Sequence, residues 1–139
     1  MKYFYVVMMI FFIISCKSVE KNTQTSSNIN FNDGWINEDK FVTTSIGYPN
    51  GFTANKEDAK ESAFNAALAL SKVKIENAFV KELPNKNNNV NDLKDVVEKY
   101  IKIEYSNFID DRYYQIKTTV EYDNLLSLLR EGNIKKILN

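Results

Sequence analysis

The stretch from Asn55 to Val80 constrains the fold more than any other part of the chain. Small and apolar residues recur along it at helical spacing, and acidic residues occupy its start, where the helix dipole favours them. The pattern predicts one long helix with Asn55 or Thr53 as its N-cap. Because alanine lets a helix axis approach its neighbour closely, we expect this helix to pack on a sheet. The expected buried stripe is mostly alanine: Ala59, Ala63, Ala66, Ala67, Leu70 and Val73.

Three segments rich in β-branched and aromatic residues predict strands before and after this helix. The first runs from Lys40 to Tyr48, the second begins at Ile101, and the third runs from Tyr113 to Tyr122 after a turn at 109–112. In the third segment one face is expected to meet the core and the other to meet water. The core face comprises Tyr114, Ile116, Thr118, Val120 and Tyr122, and the water face comprises Gln115, Lys117, Thr119 and Glu121.

Two shorter helices complete the prediction. One runs from about Asn91 to Lys99, and a C-terminal helix begins after Asp123 or Asn124 and ends before Gly132. The fold class is therefore predicted to be α+β. We expect an antiparallel sheet wrapped on a long alanine-rich helix, with a shorter second helix and a C-terminal helix around a single core.

The N-terminus carries the clearest indication of cellular location. Lys2 precedes an apolar run from Tyr3 to Ile14, and this run closes on Ser15 and Cys16. The pattern resembles the lipobox of bacterial lipoproteins, which implies cleavage between Ser15 and Cys16 and a thioether-linked diacylglycerol on Cys16. We therefore divide the chain into a signal peptide (1–15), a lipidated cysteine with a disordered tether rich in Ser, Thr and Asn (16–30), and a single α+β lipoprotein domain (31–139).

Two alternatives to a lipoprotein follow from the same residues. A transmembrane helix needs roughly 20 apolar residues, and the run from Tyr3 to Ile14 is shorter. An ordinary secretory signal would leave Cys16 as a free thiol in an oxidising compartment, with no second cysteine to pair with it. Lys17 stands where an aspartate would commonly signal retention in the inner membrane, so we expect the outer membrane.

Composition excludes several classes of function. The chain has 18 basic and 18 acidic residues, so no electrostatic argument for nucleic acid arises. It has no histidine and a single cysteine, which removes the usual zinc sites, histidine acid/base catalysis and the Ser-His-Asp and Cys-His nucleophiles. We expect no cofactor, no metal and no catalytic residue.

Two short patterns of reactive residues are candidates for catalytic or metal-binding chemistry. Ser71 and Lys74 match the Ser-x-x-Lys pattern of penicillin-binding enzymes, but its companion motifs are absent from the sequence. Asp110 and Asp111 form an acidic pair that is typical of a turn and lacks calcium-loop spacing. Acyl transfer at Ser71 requires that its hydroxyl faces a pocket with the Lys74 amine within hydrogen-bond reach.

Aromatic residues near strand ends are the candidates for a binding surface. Exposed rings stack on glycans or form contact surfaces with other proteins. We predict such a surface at Trp35, Tyr48, Tyr113 and Tyr114.

The order of these elements resembles a known family. Trp35 precedes a strand ending in Ile46-Gly47-Tyr48, the alanine-rich helix follows, and Tyr113-Tyr114-Gln115-Ile116 opens a late strand. From Trp35 to Leu129 this arrangement is similar to the family of small bacterial membrane-associated lipoproteins typified by the twenty-kilodalton outer-membrane lipoprotein of Helicobacter. The resemblance implies an antiparallel sheet around a long helix, an outer-membrane or surface location, and no established catalytic activity.

The sequence thus predicts a lipid-anchored envelope protein held to the membrane through Cys16. It would act as a non-enzymatic structural or interaction module, through a protein partner or self-association. The alternative is a module that binds peptidoglycan or another polysaccharide.

Overall fold

The computed structural model of the protein describes residues 33–51, 55–85 and 90–139, with the backbone alone at residue 90. The predicted signal peptide (1–15) and tether (16–30) lie outside the described residues. Strands and helices follow one another as β1 (Gly34–Trp35), β2 (Lys40–Gly47), α1 (Lys56–Glu82), α2 (Val90–Tyr100), β3 (Ile101–Ile109), β4 (Tyr113–Glu121), α3 (Leu125–Arg130) and α4 (Ile134–Leu138). The strands form one antiparallel sheet in the order β1-β2-β4-β3. The predicted α+β class is confirmed.

Strand register divides the sheet into two faces. Phe41 lies opposite Val120 and Ser45 opposite Ile116, and we call the face that carries these residues the inner face. All four described helices contribute buried residues to one hydrophobic cluster, together with Phe41 and Val120. The helices therefore pack on the inner face. The opposite, outer face carries Val42, Thr44 and Ile46 of β2, Gln115, Lys117 and Thr119 of β4, and Tyr105 and Asn107 of β3.

The large buried side chains lie towards one end of the sheet, where β2 begins and α1 ends. Trp35 stacks on Phe79 with ring centroids 5.5 Å apart, and the edges of both rings contact Phe41. The rest of the cluster comes from α1, α2, β4 and the two C-terminal helices: Ile75, Leu83, Leu93, Val96, Val97, Val120, Leu125, Leu128, Leu129, Ile134 and Ile137. Burial of these side chains is the main source of stability in this half of the domain.

Small residues form the contact at the other end of the sheet. A Cβ atom on Gly47 would lie 2.1 Å from the carbonyl oxygen of Ala63 and 2.3 Å from the backbone nitrogen of Ala67. The backbone of α1 thus rests directly on the last residue of β2. The predicted close approach of an alanine-rich helix to a sheet is confirmed.

The predicted buried stripe of α1 is right at its start and wrong further along. Ala63 and Ala67 are fully buried, but Ala66 is exposed, and Leu70 and Val73 are 42% and 51% exposed. The buried positions recur every fourth residue, continuing through Ser71, Ile75 and Phe79. Alanine gives little information about helix phase because it is tolerated on both sides of a helix, so the stripe was assigned to the wrong side after Ala67.

The start and the neighbours of α1 agree with the sequence. Asn55 is the N-cap, and its side-chain oxygen accepts a hydrogen bond of 2.9 Å from the backbone N–H of Asp58. The second helix is found close to its predicted bounds, as is the turn at 109–112, where Asp110 and Asp111 have positive φ. The turn is closed by a hydrogen bond from the Arg112 N–H to the Ile109 carbonyl.

One prediction for the C-terminal third is wrong, and one short helix there was missed. Gln115 and Thr119 were expected to face water, yet only 6% and 2% of their surfaces are exposed. The C-terminal helix stops at Arg130, before Gly132 at φ +73°, and a further short helix that was not predicted follows from Ile134. Gly132 interrupts the helix because only a glycine adopts this conformation without strain.

Candidate interaction surface

Five aromatic residues gather where β2 ends and β4 begins, and we call this group the aromatic end. Tyr48 and Tyr113 form one pair, with ring centroids 5.9 Å apart, on the outer-face side. Tyr114 contacts both Phe64 and Phe108, at 5.2 and 5.7 Å, on the inner-face side. None of the five is fully buried, and Tyr48 is 66% exposed. An exposed aromatic group of this kind is typical of a contact surface.

The structure brings together only part of the predicted binding surface. Tyr48 and Tyr113 are neighbours, as the hypothesis requires. Tyr114 points to the other side of β4, because successive residues of a strand alternate between faces. Trp35 lies at the opposite end of the sheet in the hydrophobic cluster, so its contacts give it a packing role. Ser15 and Cys16, the predicted cleavage and lipidation residues, lie outside the described residues.

A shallow groove lies beside the aromatic end. It has a volume of about 370 Å³ and is lined by Phe64, Tyr114 and three charged residues of the first turns of α1, Glu57, Lys60 and Glu61. A second cavity of about 380 Å³, lined by Tyr122, Asp123, Asn124, Leu128 and Lys136, opens near the C-terminus. Only the first continues an aromatic surface.

A network of ion pairs covers the other half of the outer face. Lys40 contacts Glu104 at 2.7 Å, and Lys117 contacts the same carboxylate at 3.0 Å. Since β4 lies between β2 and β3, the Lys40–Glu104 pair spans β4. Thr119, on the same face of β4, is buried although the sequence assigned that face to water. Hydrogen bonds from Lys40 and then Lys117 hold the pKa of the Glu104 carboxyl below its usual value, and the bond to Glu104 raises the pKa of Lys40.

This network predicts a loss of stability in acid. The carboxyl of Glu104 has its ordinary pKa of 4.5 in the unfolded chain and a lower one in the folded protein. The unfolded state therefore binds more protons, and the contribution of the pair is lost as pH falls below about 4.5 and through the folded pKa. Because the side chain is partly exposed, we expect Glu104→Gln to cost no more than about 1 kcal/mol at pH 7.

Chemical denaturation at pH 7 and pH 3 measures this effect. The difference between wild type and Glu104→Gln should shrink at pH 3, whereas Glu76→Gln, at a carboxylate with no ion pair to the described residues, should change little at either pH. An equal Glu104→Gln effect at both pH values would contradict the assignment.

Side chains close the edge of β2 where β1 stops. The Asp33 carboxylate accepts hydrogen bonds from the Thr44 N–H at 2.7 Å and the Thr43 hydroxyl at 2.8 Å, and Lys74 donates to Asp33 and to the Thr44 carbonyl. Burial alone would raise the pKa of Asp33, but these hydrogen bonds together lower it. Asp33 and Lys74 therefore occupy the N–H and the carbonyl of Thr44, which a further strand would otherwise use.

β3 is an edge strand, because among the described strands it pairs only with β4. A bulge between Ile103 and Tyr105, with exposed Lys102 and Glu104 beside it, makes its first half unsuited to strand pairing. Its second half, 105–109, carries no charged residue. This segment is the least protected strand edge in the described part of the chain.

The Ser71 hydroxyl does not meet the condition for acyl transfer. Ser71 is fully buried against the sheet, and its Oγ has no hydrogen-bond partner. The Lys74 amine is bound to Asp33 and to the Thr44 carbonyl, on the β2 edge. In the exposed turn, Asp110 pairs with Arg112, and Asp111 pairs with Lys56.

Replacing Ser71 should not harm the fold. Ser71→Ala removes a buried hydroxyl that has no partner and introduces a better helix former, so the free energy of unfolding should be unchanged or rise by about 1 kcal/mol. Ser62→Ala on the same helix is the control, because the Ser62 hydroxyl accepts a 2.9 Å hydrogen bond from the Asn50 N–H. Thermal unfolding of both variants tests this, and a clear loss of stability in Ser71→Ala would contradict it.

The described residues hold no group of three or more acidic or cysteine side chains able to bind a metal ion, and no described helix is long and apolar enough to cross a bilayer. No family model, curated protein or solved structure matches the chain. The resemblance to the Helicobacter lipoprotein family stays a prediction.

Sequence reasoning missed Phe64, Phe108 and the Asp33–Lys74 pair. Phe64 is the first aromatic residue within α1, and Phe108 is the second-last residue of β3, so both are aromatic residues within or beside predicted elements. Asp33 and Lys74 are 41 positions apart and meet only because α1 lies over the edge of β2. No local pattern predicts that contact.

Proposed function

We propose that the protein is a lipid-anchored, non-enzymatic module of the bacterial envelope, held in the outer membrane through Cys16. The support for the anchor is the apolar run from Tyr3 to Ile14 that ends in Ser15 and Cys16. A diacylglycerol on Cys16 would attach the protein stably, whereas one acyl chain alone binds a membrane only marginally. The module acts through a protein partner or through self-association.

The observation that carries the interaction role is the half-protected edge of β3. Residues 105–109 offer backbone groups and uncharged side chains, while the β2 edge beside β1 is occupied by Asp33 and Lys74. An added strand gains main-chain hydrogen bonds at such an edge, and its alternate side chains set specificity. We therefore place the partner contact along the second half of β3.

Site-specific cross-linking in the native envelope tests this role. A photoreactive residue in place of Tyr105 should give a discrete cross-linked product, and Asn107→Lys should abolish that product by placing a charge on the edge. Val73, exposed on α1 away from the sheet, is the control position. Cross-linking from Val73 and none from Tyr105 would contradict the proposal.

Binding of peptidoglycan or another polysaccharide is the second candidate. The Tyr48–Tyr113 pair supports it, together with the amide of Asn107 on the same outer face. Aromatic rings beside amide groups suit sugar recognition. Co-sedimentation with purified cell-wall material separates the two candidates, because retention that depends on Tyr48 would favour the polysaccharide.

A further inference from the structure

The aromatic end differs in its packing from the rest of the domain. The largest fully buried side chains include none of its five rings, and most of them belong instead to the cluster around Phe79 at the other end. At the aromatic end, the inner face is filled by Gly47, Ala63 and Ala67, and the rings lie around this contact. The interior is thus already filled without them, and the rings remain partly exposed.

The direction in which the chain enters the sheet relates this end to the anchor. β1 runs antiparallel to β2, with Gly34 opposite Val42, and Asp33 reaches Thr44 further along β2. The chain therefore enters β1 from the side on which β2 ends, which is the side of the aromatic end. Cys16 lies 17 residues before Asp33, a length that spans at most about 60 Å.

We propose that the aromatic end docks onto the zwitterionic lipid surface that holds the Cys16 anchor, with Tyr48 and Tyr113 at the interface. The proposal rests on the lipid anchor of the proposed function. Tyrosine combines an apolar ring with a polar hydroxyl, and it is enriched at membrane–water interfaces for that reason. Tethering makes even a weak contact effective, because it keeps the local concentration of the surface high.

The charges at this end select the kind of lipid. Lys56 and Arg112 are already paired with the turn aspartates, which leaves Lys60 against Glu57, Asp58 and Glu61 on the first turns of α1. This excess of carboxylates is repelled by anionic headgroups at short range. Zwitterionic headgroups carry no such penalty, and the docking is then apolar in origin.

Fluorescence of the acylated full-length protein on vesicles tests the proposal. Cys16 is the only cysteine, so a thiol introduced by Asn50→Cys beside Tyr48 can be labelled with an environment-sensitive dye. On vesicles of phosphatidylcholine and phosphatidylethanolamine this dye should show a blue shift and a several-fold rise in intensity. The same dye at Lys135→Cys, on α4 at the opposite end, should show neither.

Matched variants assign the signal to the aromatic end. Adding Tyr48→Ser to the labelled protein should remove most of the shift, whereas Ile36→Ser should preserve it, although both side chains are about two-thirds exposed, at 66% and 64%. Trp35 fluorescence reports in each variant whether the hydrophobic cluster has formed, because the indole packs on Phe79.

The outcomes separate this inference from the function on which it rests. A protein that floats with vesicles while the dye near Tyr48 stays in water overturns the docking and preserves the anchor. A protein that does not float overturns both. A dye that responds to cell-wall polysaccharide or to phosphatidylglycerol vesicles more strongly than to zwitterionic vesicles also overturns the docking.

Discussion

Gly47→Ala should unfold a large fraction of the protein. The new Cβ would lie 2.1 Å from the Ala63 carbonyl oxygen and 2.3 Å from the Ala67 nitrogen. Both are backbone atoms, so the helix must move off the sheet rather than a side chain rotate. Overpacking commonly costs 1–3 kcal/mol, and with a rigid helix in the way we expect about 3 kcal/mol or more. For a domain of this size that corresponds to a fall in Tm of roughly 12 °C or more.

Gly51→Ala is the control for this variant. Nothing lies within 4 Å of the position a Cβ would take on Gly51, and its φ is not positive. We expect a change within about 0.5 kcal/mol. Thermal unfolding followed by far-UV circular dichroism compares the two, and a Gly47→Ala protein as stable as Gly51→Ala would show that the helix does not rest on β2 in this way.

Phe79→Ala should have an effect of similar size at the other end of the domain. Phe79 is fully buried, with Trp35 stacked on its ring and Phe41 meeting it edge-on. Loss of a buried phenyl ring leaves a cavity and typically costs 3–5 kcal/mol. Trp35 should also lose its stacked environment, so its fluorescence should shift to the red even in the folded state.

Val73→Ala on the same helix is the comparison for Phe79→Ala. Val73 is about half exposed, and alanine is the better helix former, so we expect a change within about 0.5 kcal/mol. Denaturant titrations of both variants test the phase of α1 directly. Equal losses at Val73 and Phe79 would contradict the burial pattern described above.

Much of the fold follows from local sequence patterns. The cap at Asn55, the strand β4 and the turn at 109–112 were all predicted, because each depends on neighbouring residues. The phase of α1 after Ala67 was wrong because it depends on tertiary contacts, with Gly47 beneath one turn and Phe41 beneath another. Alanine and serine occur on both sides of helices, so their positions do not show which side of α1 is buried.

The candidate surface was predictable only in part. Tyr48 and Tyr113 are 65 positions apart and were selected as exposed aromatics, but their pairing depends on the register of β2 with β4. The same register places Lys40 within reach of Glu104. Such contacts between distant segments depend on the topology of the sheet. The periodicity of the sequence does not predict them.

Intact mass spectrometry of the native protein, with fractionation beside a Cys16→Ala variant, tests the central claim most directly. The account predicts a chain that begins at Cys16 and carries added acyl chains. It also predicts that Cys16→Ala leaves the membrane fraction, because the anchor is then absent. A native protein that is unmodified at Cys16 and recovered in the soluble fraction would contradict the account.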